Sequence, residues 1–106
     1  MGDETRTLIE RVQGLLALPP RNRAPIEDAL TEGYARALAL EAERRRLEAR
    51  IAELAESLST SAGAERVSEL AELANRRARA DVDLTCLRDA LGSLRRNLAT
   101  AAVAAV

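Results

Sequence analysis

Residues 47–73 read LEARIAELAESLSTSAGAERVSELAEL, two leucine-rich helical patterns separated by the serine, threonine and glycine cluster Ser59–Gly63. Such a cluster between periodic segments marks a turn. On its N-terminal side the repeat runs Ile26, Leu30, Gly33, Ala37, Leu40, Arg44, Leu47, Ile51, Leu54, Leu58. On its C-terminal side it runs Leu70, Leu73, Arg77, Ala80, Leu84, Leu87, Leu91, Leu94, Leu98, Ala101. Spacings of four and three alternate in both, and a seven-residue repeat held over several heptads implies a left-handed supercoil.

The two seams specify their pairing. Folding the chain at Ala62 pairs residues whose numbers sum to 124, so Leu54 meets Leu70, Ile51 meets Leu73 and Leu47 meets Arg77. Further along, Arg44 meets Ala80, Leu40 meets Leu84, Ala37 meets Leu87, Gly33 meets Leu91, Leu30 meets Leu94 and Ile26 meets Leu98. One register aligns every layer about the breaker. Gly33 and Ala37 face leucines, the large-against-small alternation that tight packing requires. The expected hairpin is therefore antiparallel.

Outward from the seams, the helices are expected over 25–58 and 64–100 or beyond, with the turn at 59–63. The first would be roughly 50 Å long at 1.5 Å per residue. Pro25 stands where its missing N–H costs nothing, and Glu27 and Asp28 are placed for a first turn. Ser61 or Gly63 can cap the following helix. Three pairs in the favourable i,i+4 order, Glu32–Arg36, Glu41–Arg45 and Glu72–Arg76, would each add only ~0.2–0.5 kcal/mol.

An N-terminal helix is expected over 3–18, from the helical spacing of Leu8, Val12 and Leu15, widened by Ile9 and Leu16. Asp3, or Thr7 with Glu10, can cap it. Pro19-Pro20 stops it and a linker spans 19–24. A lone two-helix hairpin buries little, so this helix is expected to lie on the open end, with Leu8, Val12 and Leu15 against Tyr34 and Leu38. The loop-proximal half keeps a bare flank, carrying Ala42, Ala49, Ala52 and Ala55 on one helix and Ala71, Ala74 and Ala78 on the other. Alanine faces admit close helix approach, so a homodimer or a partner protein is expected there. The stretch from Ala99 to Val106 continues the helix under the linker or frays.

Composition supports a thin all-helical domain. The chain has 106 residues with a formal net charge of -1, from 16 basic and 17 acidic side chains, and Tyr34 is its only aromatic. Every basic residue is arginine. The balance disfavours a dedicated nucleic-acid binder. The longest apolar run, Ala101 to Val106, is far too short to span a bilayer, and no signal-peptide pattern opens the chain. The expected location is cytoplasmic. Cys86, the single cysteine, forms no intrachain disulfide and is expected to be a small buried hydrophobe beside Leu87.

The residues of catalysis are scarce. There is no histidine, no lysine and no phosphate-binding glycine motif. One cysteine cannot build a cysteine-based zinc site. No catalytic, cofactor-binding or metal-binding residue is expected, and the chain is read as a non-enzyme.

Arginine clusters instead. Arg44, Arg45, Arg46 and Arg50 lie at the same height as Arg76, Arg77 and Arg79 in the 124 register, forming a belt. Arg44 and Arg77 take seam positions, with Asp81 and Asp83 near the former and Glu48 near the latter. The belt is either a register-setting ion-pair network or an anion site, since arginine forks suit phosphate. A groove beside Tyr34 and Leu38 would accept a partner helix if the first helix leaves it open.

The layout of residues 25–100 resembles, in architecture, small actinobacterial anti-sigma factors that hold a cyclic dinucleotide between two helical hairpins. That family's signature, E-x3-S-x2-R-x3-Q-x3-D along a helix, is missing from the hairpin, where no glutamine occurs. The only glutamine, Gln13, is in the first helix.

The expected function is a non-catalytic coiled-coil protein–protein interaction module: an adaptor, assembly factor or regulator that binds partner helices, with a second protein or itself as partner. The alternatives are an anti-sigma-like hairpin sensing an anionic ligand through the arginine belt, and a structural self-assembling subunit.

Overall fold

The computed structural model describes residues 2–18, 23–60 and 63–104. Three helices account for them: α1 (Gly2–Leu16), α2 (Arg23–Thr60) and α3 (Ala64–Ala104). The two long helices pack together as a hairpin and α1 lies on its open end. The molecule measures 66 × 20 × 15 Å.

Local chemistry accounts for the helix ends. Asp3 and Glu4 sit in the first turn of α1, where carboxylates complement the helix dipole. Thr7 lies one turn further into the helix and donates to the Asp3 carbonyl at 2.7 Å, so it caps nothing. After Leu16 a last turn is held by Ala17 N–H to the Gln13 carbonyl at 3.1 Å. Helix α2 begins at Arg23, which leaves Pro25 in the first turn, among the N–H positions that need no partner. Glu27 and Asp28 fall one turn deeper, and Glu27 instead accepts from Arg23 at 3.3 Å.

The breaker is shorter than its composition suggests. Ser59 and Thr60 donate back to the carbonyls of Glu56 and Ser57 at 2.6 and 3.0 Å. Those bonds satisfy the hydroxyls within the helix and let α2 run to Thr60. Gly63 then opens α3, its carbonyl accepting the Val67 N–H at 3.1 Å.

The seam is the core. Ile26, Gly33, Ala37, Leu40, Leu47 and Leu54 of α2 are buried, as are Leu73, Ala80, Leu84, Leu87, Leu91 and Leu94 of α3. Gly33 lies directly against Leu91, a pair that sums to 124. Two clusters result. The larger, at the open end, joins Val12 of α1 to seam residues from Ile26 to Leu40 and from Leu84 to Leu94. The smaller, near the turn, holds only Leu47, Leu54 and Leu73, with Ile51 and Leu70 partly buried. Between them the layers Arg44–Ala80 and Leu47–Arg77 interrupt the apolar stack.

Helix α1 runs antiparallel to α2. Thr5 meets Arg36 and Arg11 meets Glu32. It therefore ends beside the start of α2, as a short proline-rich connection requires.

Candidate interaction flank

A two-stranded antiparallel coiled coil has two side grooves, one on each flank of the seam. On α2 one flank carries Ala29, Arg36, Glu43 and Arg50, and the other carries Tyr34, Glu41, Glu48 and Ala55, each a heptad apart. On α3 the matching residues are Glu69, Arg76, Asp83 and Ala90 on the first flank, and Ala74, Asp81, Arg88 and Arg95 on the second.

Helix α1 takes the first flank. Ala29 is fully buried although it lies outside the seam, and Ala90 packs against the core. Those two small side chains let α1 approach, so that Val12 is fully buried and Leu8, Ile9, Leu15 and Leu16 pack around it. Polar contacts fix the seat. The Arg36 Nε donates to Thr5 Oγ1 at 3.0 Å, with Thr5 only 1% exposed. Arg36 also reaches Glu4 at 3.4 Å, and Arg11 pairs with Glu32 at 2.7 Å. An open concavity of about 640 Å³ lies between α1 and the outer face of α2, lined by Leu8, Arg11, Glu32, Ala35, Arg36 and Ala39.

This corrects the expectation that α1 would cover Tyr34 and Leu38. Both lie on or beside the opposite flank and remain 39% and 66% exposed. That side carries the bulky Tyr34 and the charged pair Glu41–Arg88, which obstruct the approach that Ala29 and Ala90 permit.

None of the three expected intrahelical Glu–Arg pairs is formed among the described ion pairs, and residues of two of them pair with another helix instead. Glu32 takes Arg11, Arg36 takes Glu4, and Glu41 takes Arg88. Glu72 and Arg76 line a common concavity without an ion pair between them. Residues beside a neighbouring helix find carboxylates and guanidiniums across the interface, in better reach than their own i+4 neighbours.

The arginines share one height but divide between two flanks. In the seam, Arg44 donates to Asp81 at 3.0 Å and lies 3.8 Å from Glu48, while Arg77 donates to Glu48 at 3.0 Å. Glu48 thus links both seam arginines. Asp83 lies on the α1 flank, away from this network. Arg45 projects beside the open flank. Arg46 and Arg50 project toward the α1 flank, past the end of α1, as do Arg76 and Arg79. Arg50 bridges Glu53 at 3.3 Å and Glu69 at 3.2 Å. Hydrogen bonds to Glu69 first, then Glu53, raise its guanidinium pKa above the ordinary value. Arg76 and Arg79 line a concavity of about 400 Å³ with Glu43, Glu72 and Asn75. Acids accompany the arginines on both sides, so the arrangement presents no concentrated positive field.

The alanines divide as well. Ala52, Ala55, Ala71, Ala74 and Ala78 lie on or beside the open flank and are exposed. Ala42 and Ala49 point directly away from the seam, because they stand midway between the flanks on the helical wheel. Val67 extends the open flank toward the turn and is 55% exposed. Cys86 is exposed, against the expectation of burial, because it lies on the outer face of α3, between the seam residues Leu84 and Leu87 in sequence but turned away from the seam. The linker residues 19–22, Ser61, Ala62 and the side chains of 101–106 lie outside the described residues.

Sequence reasoning missed Thr5, Ala29, Glu41 and Arg88. Ala29 and Ala90 offered a signal, since small residues a heptad-step outside both seams mark where a third helix can dock. Among the described residues, no cluster of histidine, cysteine, aspartate or glutamate could hold a metal ion, and no helix is long and apolar enough to cross a membrane.

No protein-family model, no curated protein and no solved structure matches this chain. The open flank, a hairpin side with a large-residue end and a small-residue end, is the feature with most scope for function.

Proposed function

We propose that the protein is a non-catalytic coiled-coil interaction module that binds amphipathic helices along the open flank of its hairpin. One observation carries this reading: α1 closes one flank and leaves Tyr34 and Leu38 exposed on the other. A groove between two helices accepts a third through apolar residues at helical spacing, and α1 already fills the opposite groove in this manner. Large exposed side chains such as Leu38 supply the anchor, and the surrounding Glu41, Arg45, Glu48 and Arg88 supply charge selectivity.

An anion-sensing role for the arginine belt is less well supported. Arg44, Arg50 and Arg77 are each held by carboxylates, and the concavity at Arg76 and Arg79 includes Glu43 and Glu72.

The test is site-specific photocrosslinking in the cells that make the protein. A photoreactive phenylalanine derivative replaces Leu38 in one variant and Asp89, on the outer face of α3, in another. Crosslinks from position 38 to an amphipathic helical segment, identified by mass spectrometry and absent from position 89, support the proposal. Equal or no crosslinking at the two positions overturns it.

A further inference from the structure

We infer that the helices received by the open flank are those of a second copy of this chain, laid antiparallel so that two hairpins form a four-helix bundle. The inference rests on the proposed use of this flank and names its occupant. Large side chains stand at one end of the flank, Tyr34 and Leu38, and small ones at the other, Ala52 and Ala55. A two-fold axis crossing the hairpin near Arg45 on α2 and Ala78 on α3 exchanges the two ends. It sets Leu38 on Ala52 of the other copy and Tyr34 on Ala55. On α3 it brings Ala78 against its own counterpart, where a small residue allows close approach. Both crossing points lie at one height in the 124 register, so a single axis serves both helices.

Charge is compatible with the same arrangement. Glu41, Glu48 and Asp81 alternate with Arg44, Arg45, Arg77 and Arg88 along the flank, so like charge does not dominate when it meets itself. Among the described residues, no carboxylate is paired with Arg45 in the single chain. On the axis Arg45 would face its own counterpart, with Glu41 and Glu48 of the other copy on either side of the two guanidiniums. The whole molecule is 66 Å long and 20 Å across its second axis, so a flank running along the hairpin has the length needed for the roughly 800 Å² that each partner of a standard interface buries.

Sedimentation equilibrium of the purified chain over about a hundredfold range of concentration tests the occupant. The expected mass is twice 11.5 kDa, with Leu38→Glu raising the dissociation constant about tenfold or more while helicity is retained. Cysteine trapping in a Cys86→Ser background tests the geometry independently. Ala78→Cys is expected to form a disulfide between copies. Ala52→Cys alone is not, because its two copies lie about 21 Å apart along the bundle at 1.5 Å per residue. Leu38→Cys combined with Ala52→Cys is expected to crosslink. A mass of one chain throughout overturns the inference, as does a dimer indifferent to Leu38→Glu or a disulfide through Ala52→Cys alone. Assemblies larger than a dimer overturn it too, in favour of open self-assembly. A single-chain mass together with crosslinks from position 38 to a different protein removes only the self-pairing and leaves the interaction flank standing.

Discussion

Leu91 stands in the space that a side chain at residue 33 would need. A Cβ built on Gly33 overlaps Leu91 Cδ2 and comes within 3.0 Å of Cδ1, and Leu91 itself is fully buried. A glycine inside a long helix costs about 1 kcal/mol relative to alanine. Here it permits α2 and α3 to close at the centre of the main cluster.

Gly33→Ala is therefore expected to destabilise the protein despite the better helix propensity. Overpacking typically costs about 1–3 kcal/mol, which exceeds the propensity gain. Leu91→Ala alone should cost about 2–5 kcal/mol. Urea denaturation of both single variants and the double variant measures their coupling. The double variant should be more stable than the sum of the two single losses. Strict additivity would mean that the two sites do not compete for space.

Arg44→Met should leave stability unchanged or raise it. The guanidinium occupies a seam position at 33% exposure and is paired with Asp81 and Glu48. Apolar replacement of a partly buried charge in a seam is often neutral or stabilising, and exposed pairs contribute only ~0–1 kcal/mol. The variant should show its cost in specificity, as a mixture of registers under cysteine crosslinking between α2 and α3. A large loss of stability in thermal denaturation would contradict this account.

Thr5→Val should loosen α1 without unfolding the hairpin. The substitution keeps the shape but leaves the Arg36 Nε without its acceptor, at a cost of about 1–3 kcal/mol. The measurement is limited proteolysis with hydrogen exchange. Amides of α1 should exchange faster while those of residues 84–94 hold their protection. Loss of protection throughout would show that α1 is integral to one cooperative unit.

Stability should fall along the hairpin from its open end toward the turn. The open end has three helices around a continuous cluster, whereas the turn-proximal half has only Leu47, Leu54 and Leu73 buried. Local opening is easiest where few apolar contacts are lost. Amides of residues 51–58 and 66–72 should exchange at least tenfold faster than those of 33–40 and 84–91, roughly 1.4 kcal/mol of difference. Equal protection in the two halves would require another element covering the turn-proximal half.

Arg50 should confer no pH dependence near neutrality. Its guanidinium pKa is raised by Glu69 and Glu53. A raised basic group contributes fully below its unfolded value and loses that contribution only as pH climbs through the folded one. That window lies in strong alkali. Urea midpoints of the parent chain and Arg50→Gln should therefore differ by a constant amount across the neutral range.

The seams, the register and the position of the turn were legible in the residues themselves. A seven-residue repeat allows one face of each helix to be buried, and the only breaker between the repeats locates the fold point, so Gly33 had to meet Leu91. Asp81 and Glu48 followed from that register as neighbours of Arg44 and Arg77, because residue height along a paired helix is arithmetic. The side that α1 would occupy was not legible from periodicity, since both flanks of α2 carry apolar residues, and the small residues Ala29 and Ala90 were the one signal that ranked them. Three-dimensional fit decided it: Ala29 and Ala90 admit a third helix, while Tyr34 and the Glu41–Arg88 pair keep it away. The same fit redirected Glu32, Arg36 and Glu41 from partners on their own helix to partners on another, and left Cys86 on the surface. Local spacing determines which residues can be buried together, but the choice between two possible flanks depends on volume and charge contributed by three helices at once.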